Sequence, residues 1–575
     1  MFTFFPSPFL SKCFTKLQLL NALPQIAVPP LFAYLPQPLF GNGSSCSKAY
    51  GPQHQCARAL RSRFRTLDGS CNNPARPGWG RANSCQSRLL PPDYADGLAA
   101  IRVAASGRPL PLPRELSRYG VGSTVGVAAT TDYRGAYSVL TLAWGQMVVH
   151  DLSLTSVGKT LVSKKVTSPN YQTNCCKRRR GAKCSTILFE AGQAATRSEA
   201  LKSHPFQTVL LLPGDRQKSS SEFTSSSKQA GQQLYSRCTN FQRAHACPQC
   251  VLGPRAAMNR QTAFLDASLV YGTSEAEAAS LRLHKDGLLR VARDSSRAPI
   301  LPGAPPSSSS PETTCSPVAG VGAQRCFVAG DRRVNQHPLL VAMHTVLLRR
   351  HNFHASRLKA VNSGGGGGAY GGGKPWSDDR LFEEARRLLI AELQHITSGE
   401  YVPFLLGPHL TAHYGLGPLS YGNGYTTYQP ATNPSIKAEF SIAARFGHSQ
   451  IRDTYRAASP GYLNTSAWAL GDNFFEPGFA WAALTDDLLR GAVTDASGAI
   501  DNHFSFTAQN LVAKTKADRF GLDLVATNTL RGRDLGIPGY VYFLKGCFGV
   551  DVRRWADLER YIPREVVERL QEIYE

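Results

Sequence analysis

No stretch of this 575-residue chain stays apolar for the ~18 residues a membrane-spanning helix needs, so no transmembrane helix is expected. Repeated C-x-x-C pairs are missing, which removes the zinc-ribbon readings. Helix-turn-helix and RNA-binding signatures are missing too, so a nucleic-acid partner is not expected. No internal repeat and no heptad pattern stands out, and strand-like alternation is scarce, which leaves a mainly α fold. Acid is also short, with 41 Asp and Glu against 64 Lys and Arg and a formal charge of +23. That imbalance bears on attraction to polyanions and says little about fold.

Hydrophobic residues at 42% and charged residues at 18% suit an ordinary globular chain. The bases cluster in "CCKRRRGAKC" (Lys177, Arg178, Arg179, Arg180, Lys183), read as a solvated basic loop, with acidic matrix or egg-coat polymers as a secondary partner. Fourteen cysteines point to an oxidising compartment and secretion. Cys71 with Cys85, the Cys175-Cys176 pair with Cys184 and Cys238, and Cys315 with Cys326 look like disulfide-closed loops. Asn42 and Asn464 lie in N-x-[ST] glycosylation sequons. Residues 1–61 read as a leader and irregular arm; their apolar start is broken by Lys12, Lys16 and prolines and makes neither a good signal peptide nor a span. Residues 62–575 read as one catalytic unit with polar loop inserts at 215–229, 302–314 and 363–374. Between the inserts, 338–358 opens on proline and repeats apolar residues at helical spacing, and 378–406 opens on acids and carries a long apolar stripe.

Five segments carry candidate chemistry. In "WGQMVVHDL" (144–152), read as a helix, Gln146 and His150 share a face with Val149 beside them, while Asp151 turns away. Taken alone, such a histidine is more often a buried, hydrogen-bonded core residue than a functional one. In "RQTAFLDASLVYG" (260–272), Thr262, Phe264, Asp266 and Ser268 alternate, offering hydroxyl, carboxylate and carbonyl oxygens of the kind calcium prefers, although a plain turn network uses the same pattern. "CFVAGDRRVNQHPLL" (326–340) places Arg333 three residues before Gln336, "SIAARFGHSQIRDTY" (441–455) holds His448 among small and apolar residues, and "LDLVATNTLRGRDLGIPGY" (522–540) presents Asn528 and Arg531. His351, His354 and His395 are read as structural or solvated.

In this order, the five segments and the cysteines resemble the animal haem peroxidases over about residues 62–575. The resemblance implies that family's fold, mainly α with few short strands and disulfide-stapled loops, and the haem between helices. It implies hydrogen peroxide and small reducing substrates as partners, with haem b and calcium as cofactors. By the same resemblance His150 is the distal proton shuttle, Gln146 holds water or halide, and Arg333 supplies fixed positive charge for the departing oxygen. His448 ligates the iron with Asn528 as its partner, and Arg531 lies near the haem carboxylates. Asp151, Thr262, the Phe264 carbonyl, Asp266 and Ser268 bind calcium.

The chain departs from the family at Val149 and Gln336, where members commonly carry the carboxylates that form esters to haem. Neither can make that bond, and His337 stands where some members have a vinyl-linked methionine. The haem is therefore expected to be free of covalent ester links, flatter and lower in potential. That argues against chloride oxidation and for iodide, bromide, thiocyanate or phenolic tyrosine as donor. Family members continue beyond the end of this chain and find there a partner for the cysteine matching Cys547. A C-terminally incomplete domain, an unpaired Cys547 and an exposed apolar face are accordingly expected. A catalytically weakened adhesion or matrix-binding protein is the rival reading. A dioxygenase of the wider superfamily is a third, with no membrane-binding helices or substrate-channel motif in its favour.

Overall fold

The computed structural model describes residues 56, 62–123, 137–157, 184–188, 238–248, 253–304, 326–362, 375–418, 429–462, 465–514 and 520–575. The leader apart from Cys56, the basic run at 177–183, Cys175, Cys176, Cys315, Asn42, Asn464 and the inserts at 215–229, 305–314 and 363–374 lie outside these residues.

Seven helices carry the architecture: α1 (Val139–Leu152), α2 (Pro338–Asn362), α3 (Asp378–Ile396), α4 (Ala438–Ala443), α5 (Thr485–Thr494), α6 (Leu524–Asp534) and α7 (Arg564–Tyr574). Helix α2 is the spine and packs against α1, α3 and α5. Its first turns are buried on every side, from Pro338 through Thr345, so this stretch sits inside the protein, as an all-round apolar helix must. Proline at the first helical position removes an N–H that would have had no partner. Helix α3 starts where the Ser377 hydroxyl accepts from the Arg380 N–H, with Asp378 and Asp379 in the first turn, a favourable end for negative charge. It buries Leu381, Phe382, Leu389, Ile390 and Leu393, each worth about 1.5–3 kcal/mol of transfer free energy. The stretch expected to stay helical to 406 does so with a change of pitch: a π-turn at Thr397–Tyr401 leads into a short helix, Val402–Leu406.

Among the described residues, strands occur only as two-stranded pairs, none longer than five residues. Their main contribution is to fix loops. The strand Ser84–Cys85 pairs antiparallel with Met258–Asn259, and Ala246 bridges to Ala257 beside it. This register brings Cys85 to Cys247, with Cα atoms 5.3 Å apart and a disulfide joining them across 162 residues of sequence. Cys71 bonds instead to Cys56. The expected Cys71–Cys85 loop is thus corrected, since the strand pairing commits Cys85 elsewhere. Cys326 and Cys547 are disulfide-bonded as well, which overturns the expectation of an unpaired Cys547. No described helix is long and apolar enough to cross a membrane. Near the end of the chain, an apolar cavity of about 370 Å3 lies between α6 and α7, lined by residues such as Val525, Tyr540, Leu558 and Leu570.

Candidate functional site

Helix α1 begins at Ser138, whose hydroxyl accepts from the Thr141 N–H at 3.3 Å. Val139, Ala143 and Met147 recur every fourth residue and are buried, which locks the rotation of the helix. Gln146 and Val149 are left on a half-buried face next to His150. Gly145 leaves room for the Tyr401 hydroxyl, which occupies the place a Cβ would take. The His150 carbonyl accepts from Gln261 Nε2 at 3.1 Å and from Arg333 Nη2 at 3.0 Å. The His150 ring makes no hydrogen bond among the described residues, and its Nδ1 is buried without a partner. Burial, and secondly the charge of Arg333, hold this imidazole well below its ordinary pKa and therefore neutral.

Arg333 is anchored rather than loose. Asp331, itself buried, takes the guanidinium at Nε and Nη2, while the Ser153 and His150 carbonyls at the end of α1 take Nη1 and Nη2. Four of its five N–H groups are thereby committed, and one on Nη1 is left over. The Arg333 charge holds the Asp331 carboxyl well below the usual range even though burial opposes this.

The second part of the candidate site comes from the segment Ala444–Gln450, which follows α4 and packs against α1, and from α6. Gly447 sits against α1, with Leu142 Cδ1 3.7 Å from where a Cβ would stand. His448 Nδ1 lies 2.7 Å from Asn528 Nδ2, and Asn528 Oδ1 accepts from Arg445 Nη1 at 2.7 Å. A guanidinium only donates, so it fixes the amide with its oxygen toward Arg445 and its nitrogen toward His448. The ring then accepts at Nδ1 and carries its proton on Nε2. Burial, and then Arg445, push the His448 imidazole down to about 3. Arg445 is lowered to about 9 by burial and by the charges of Arg531 and Arg333. Arg333 and Arg531 therefore lie near enough to Arg445 for their charges to act on it. Sequence reasoning missed Arg445; its signal was an arginine one helical turn before His448.

Arg531 is buried. It donates to Asp534 at 2.7 Å and lies 4.3 Å from the Phe241 ring centre. Val149 and Gln336 are half-buried, with the Gln336 carbonyl accepting from the Phe475 N–H. The other helical histidines fall into structural places: His351 bonds Tyr271 and the Gly287 carbonyl, and His354 bonds Glu392. His344, also missed, is buried with both ring nitrogens unpartnered beside a cavity of about 10 Å3.

The alternating segment wraps the end of α1. Asp151 accepts from the backbone N–H groups of Asp266, Ala267 and Leu269 and from the Ser268 hydroxyl, at 3.0–3.1 Å. Ala267 adopts a left-handed conformation (φ 59°) to make this turn. The Thr262 hydroxyl and the Phe264 carbonyl are 3.3 Å apart. Asp266 Oδ2 is buried without a partner. Burial raises both carboxyls, and Asp266 adds to the rise of Asp151. Two buried carboxylates with one orphaned oxygen, two hydroxyls and a carbonyl suit a hard divalent cation. Among the described residues no group of three or more His, Cys, Asp or Glu is placed to hold a metal, so hydroxyl and carbonyl oxygens would have to complete the set.

Residues 64–575 match the family model described as animal haem peroxidase. Thyroid peroxidase of Homo sapiens is 31% identical over 566 residues, covering 93% of this chain and 54% of the relative. Chorion peroxidase of Drosophila melanogaster is 30% identical over 524 residues, covering 90% and 57%. The chain thus spans about half the length of the curated relatives it matches. Peroxidase A from Dictyostelium discoideum superposes with a TM-score of 0.63 at 20% identity, over 89% of this chain and 83% of that one. A fatty acid alpha-dioxygenase from Oryza sativa reaches the same TM-score at 16% identity, over 100% and 79%. These two likenesses show a shared fold.

Proposed function

The chain belongs to the animal haem peroxidase family, and from that premise we propose that it is a haem-dependent peroxidase. It reduces hydrogen peroxide and oxidises a small donor: a phenol such as tyrosine, iodide, bromide or thiocyanate. The observation that carries this reading is a pair of neutral imidazoles on two elements that pack together, the buried His150 on α1 and the half-buried His448 on the segment 444–450. His150 has an unengaged ring, and His448 is pinned at Nδ1 by Asn528.

Haem b, when bound, supplies the redox chemistry. His448 would hold its iron through Nε2, releasing that nitrogen's proton to solvent. Asn528 and Arg445 fix the plane of the ring. Arg531 would face the haem carboxylates. His150 would accept a proton from one peroxide oxygen and return it to the other, while the bound haem would supply the two electrons that reduce the peroxide. Such general acid–base catalysis contributes about 10²–10⁴-fold. Arg333, held by Asp331, keeps His150 neutral and presents its one remaining N–H. Gln146 orders water or a donor beside them. Val149 and Gln336 carry no carboxylate, so the haem is held without ester links.

Calcium bound by Asp151, Thr262, the Phe264 carbonyl, Asp266 and Ser268 would fasten the end of α1 and so the position of His150. The disulfides favour secretion into an oxidising compartment. The test is steady-state oxidation of iodide, thiocyanate and tyrosine by the haem-loaded chain with peroxide. Absence of peroxide consumption with every donor sinks the proposal. The net charge of +23 and the two replaced ester positions favour a second reading, an adhesive protein for acidic matrix polymers. That reading is selected by polymer binding with a haem spectrum indifferent to peroxide.

A further inference from the structure

His337 stands at the N-terminus of α2, and the Leu340 N–H, shared with the His337 carbonyl at 3.1 Å, also donates to its Nδ1 at 3.3 Å. A backbone N–H can only donate, so Nδ1 carries no proton. Burial pushes the ring down to about 4, so it is neutral near pH 7 and its single proton sits on Nε2. That Nε2 lies 2.9 Å from Gln146 Oε1. The amide is thereby oriented by chemistry. Its oxygen must face His337, and its nitrogen must face away.

The Gln146 nitrogen makes no hydrogen bond among the described residues, yet it is not among the buried unpartnered atoms. It is therefore reachable, on the same helical face as His150, with two N–H groups unspent. Without His337 the amide could turn and offer its oxygen, which repels anions and attracts donors.

We propose that His337 is a positioning residue that holds Gln146 with its N–H groups toward the space beside His150, making that space a receiver for a small halide or pseudohalide anion. The proposal rests on the peroxidase reading and narrows its donor class to iodide, bromide or thiocyanate. One further feature supports it: Arg333 donates to the His150 carbonyl at 3.0 Å, which places a fixed positive charge at the end of α1 that carries Gln146.

The test has two arms. In haem-free protein carrying 15N-labelled histidine, the ring nitrogen shifts of His337 are expected to show a bare Nδ1 and a protonated Nε2 at pH 7. In ferric haem-loaded protein, iodide and thiocyanate are titrated by the shift of the Soret band. His337→Asn keeps a side chain that caps the helix but is too short to reach Gln146. It is expected to weaken anion binding about tenfold, the scale of one neutral hydrogen bond, while the melting temperature stays near that of the parent. His337→Gln, long enough to donate to Gln146 again, is expected to recover most of the affinity. A proton on Nδ1, or unchanged anion affinity in His337→Asn, overturns the proposal. A chain that takes up no haem shows no Soret band; that result removes the peroxidase reading and this inference together, and is distinct from a mere loss of anion affinity.

Discussion

Asn528 holds two residues at once: its side-chain nitrogen lies 2.7 Å from His448 Nδ1, and its oxygen 2.7 Å from Arg445 Nη1. One amide thus sets the ring plane of the expected iron ligand and pins a charge beside it. Asn528→Ala is expected to weaken haem affinity by about 10–100-fold, the usual consequence of removing the hydrogen-bond partner of a ligating histidine. Haem transfer to apomyoglobin measures this, and an unchanged transfer rate would show that the amide does not orient the ligand.

The calcium-type cradle makes a thermodynamic prediction. Burial raises the Asp151 and Asp266 carboxyls, and Asp266 adds to the rise of Asp151, so the cation-free protein retains protons there at a pH where free carboxyls have lost them. A divalent cation needs the carboxylates and has to displace those protons. Calcium added at pH 7 is therefore expected to release protons into a weakly buffered solution and to raise the melting temperature, and Asp266→Asn is expected to abolish both effects. No release and no thermal shift in the parent chain would remove calcium from the account.

Haem attachment is tested by acid extraction. Val149 and Gln336 offer no carboxylate, so the haem is expected to leave the denatured chain intact. Val149→Asp combined with Gln336→Glu, cycled with peroxide, is expected to retain haem under the same extraction. Haem that stays with the parent polypeptide contradicts the reading.

Arg333 gives the pH dependence its sign. Its positive charge adds to burial in lowering the His150 pKa, so the peroxide step is expected to stay level from pH 8 to below the ordinary histidine pKa of about 6.5. It should fall only as pH drops through the depressed value. Arg333→Gln removes the charge, raises the His150 pKa and moves the acid limb upward. Stopped-flow rates against pH for both proteins show this; an acid limb that stays put or moves down contradicts it.

Much of the frame was legible because it is written locally. Proline at 338 and the acids at 378–379 mark the starts of α2 and α3, and the four-residue spacing in 139–147 fixes the turn of α1. The cysteine partners were not legible. Cys85 meets Cys247 only through the register of two-residue strands, and pairings set 162 residues apart leave no local trace. Arg333 was expected to supply fixed positive charge, but what fixes it was not legible: Asp331, two residues earlier, takes two of its N–H groups and the Ser153 and His150 carbonyls take two more. The contact between His337 and Gln146 spans 191 residues and depends on how α1 and α2 pack. Only the assembled structure reveals it.

The central claim is that His150 moves the proton that peroxide must surrender and recover. Stopped-flow mixing of the haem-loaded chain with peroxide, followed at the Soret band, measures this most directly when the parent is compared with His150→Ala. The account predicts a spectral change in the parent that slows by about two to four orders of magnitude in the variant. Equal rates, with haem bound equally in both, contradict it.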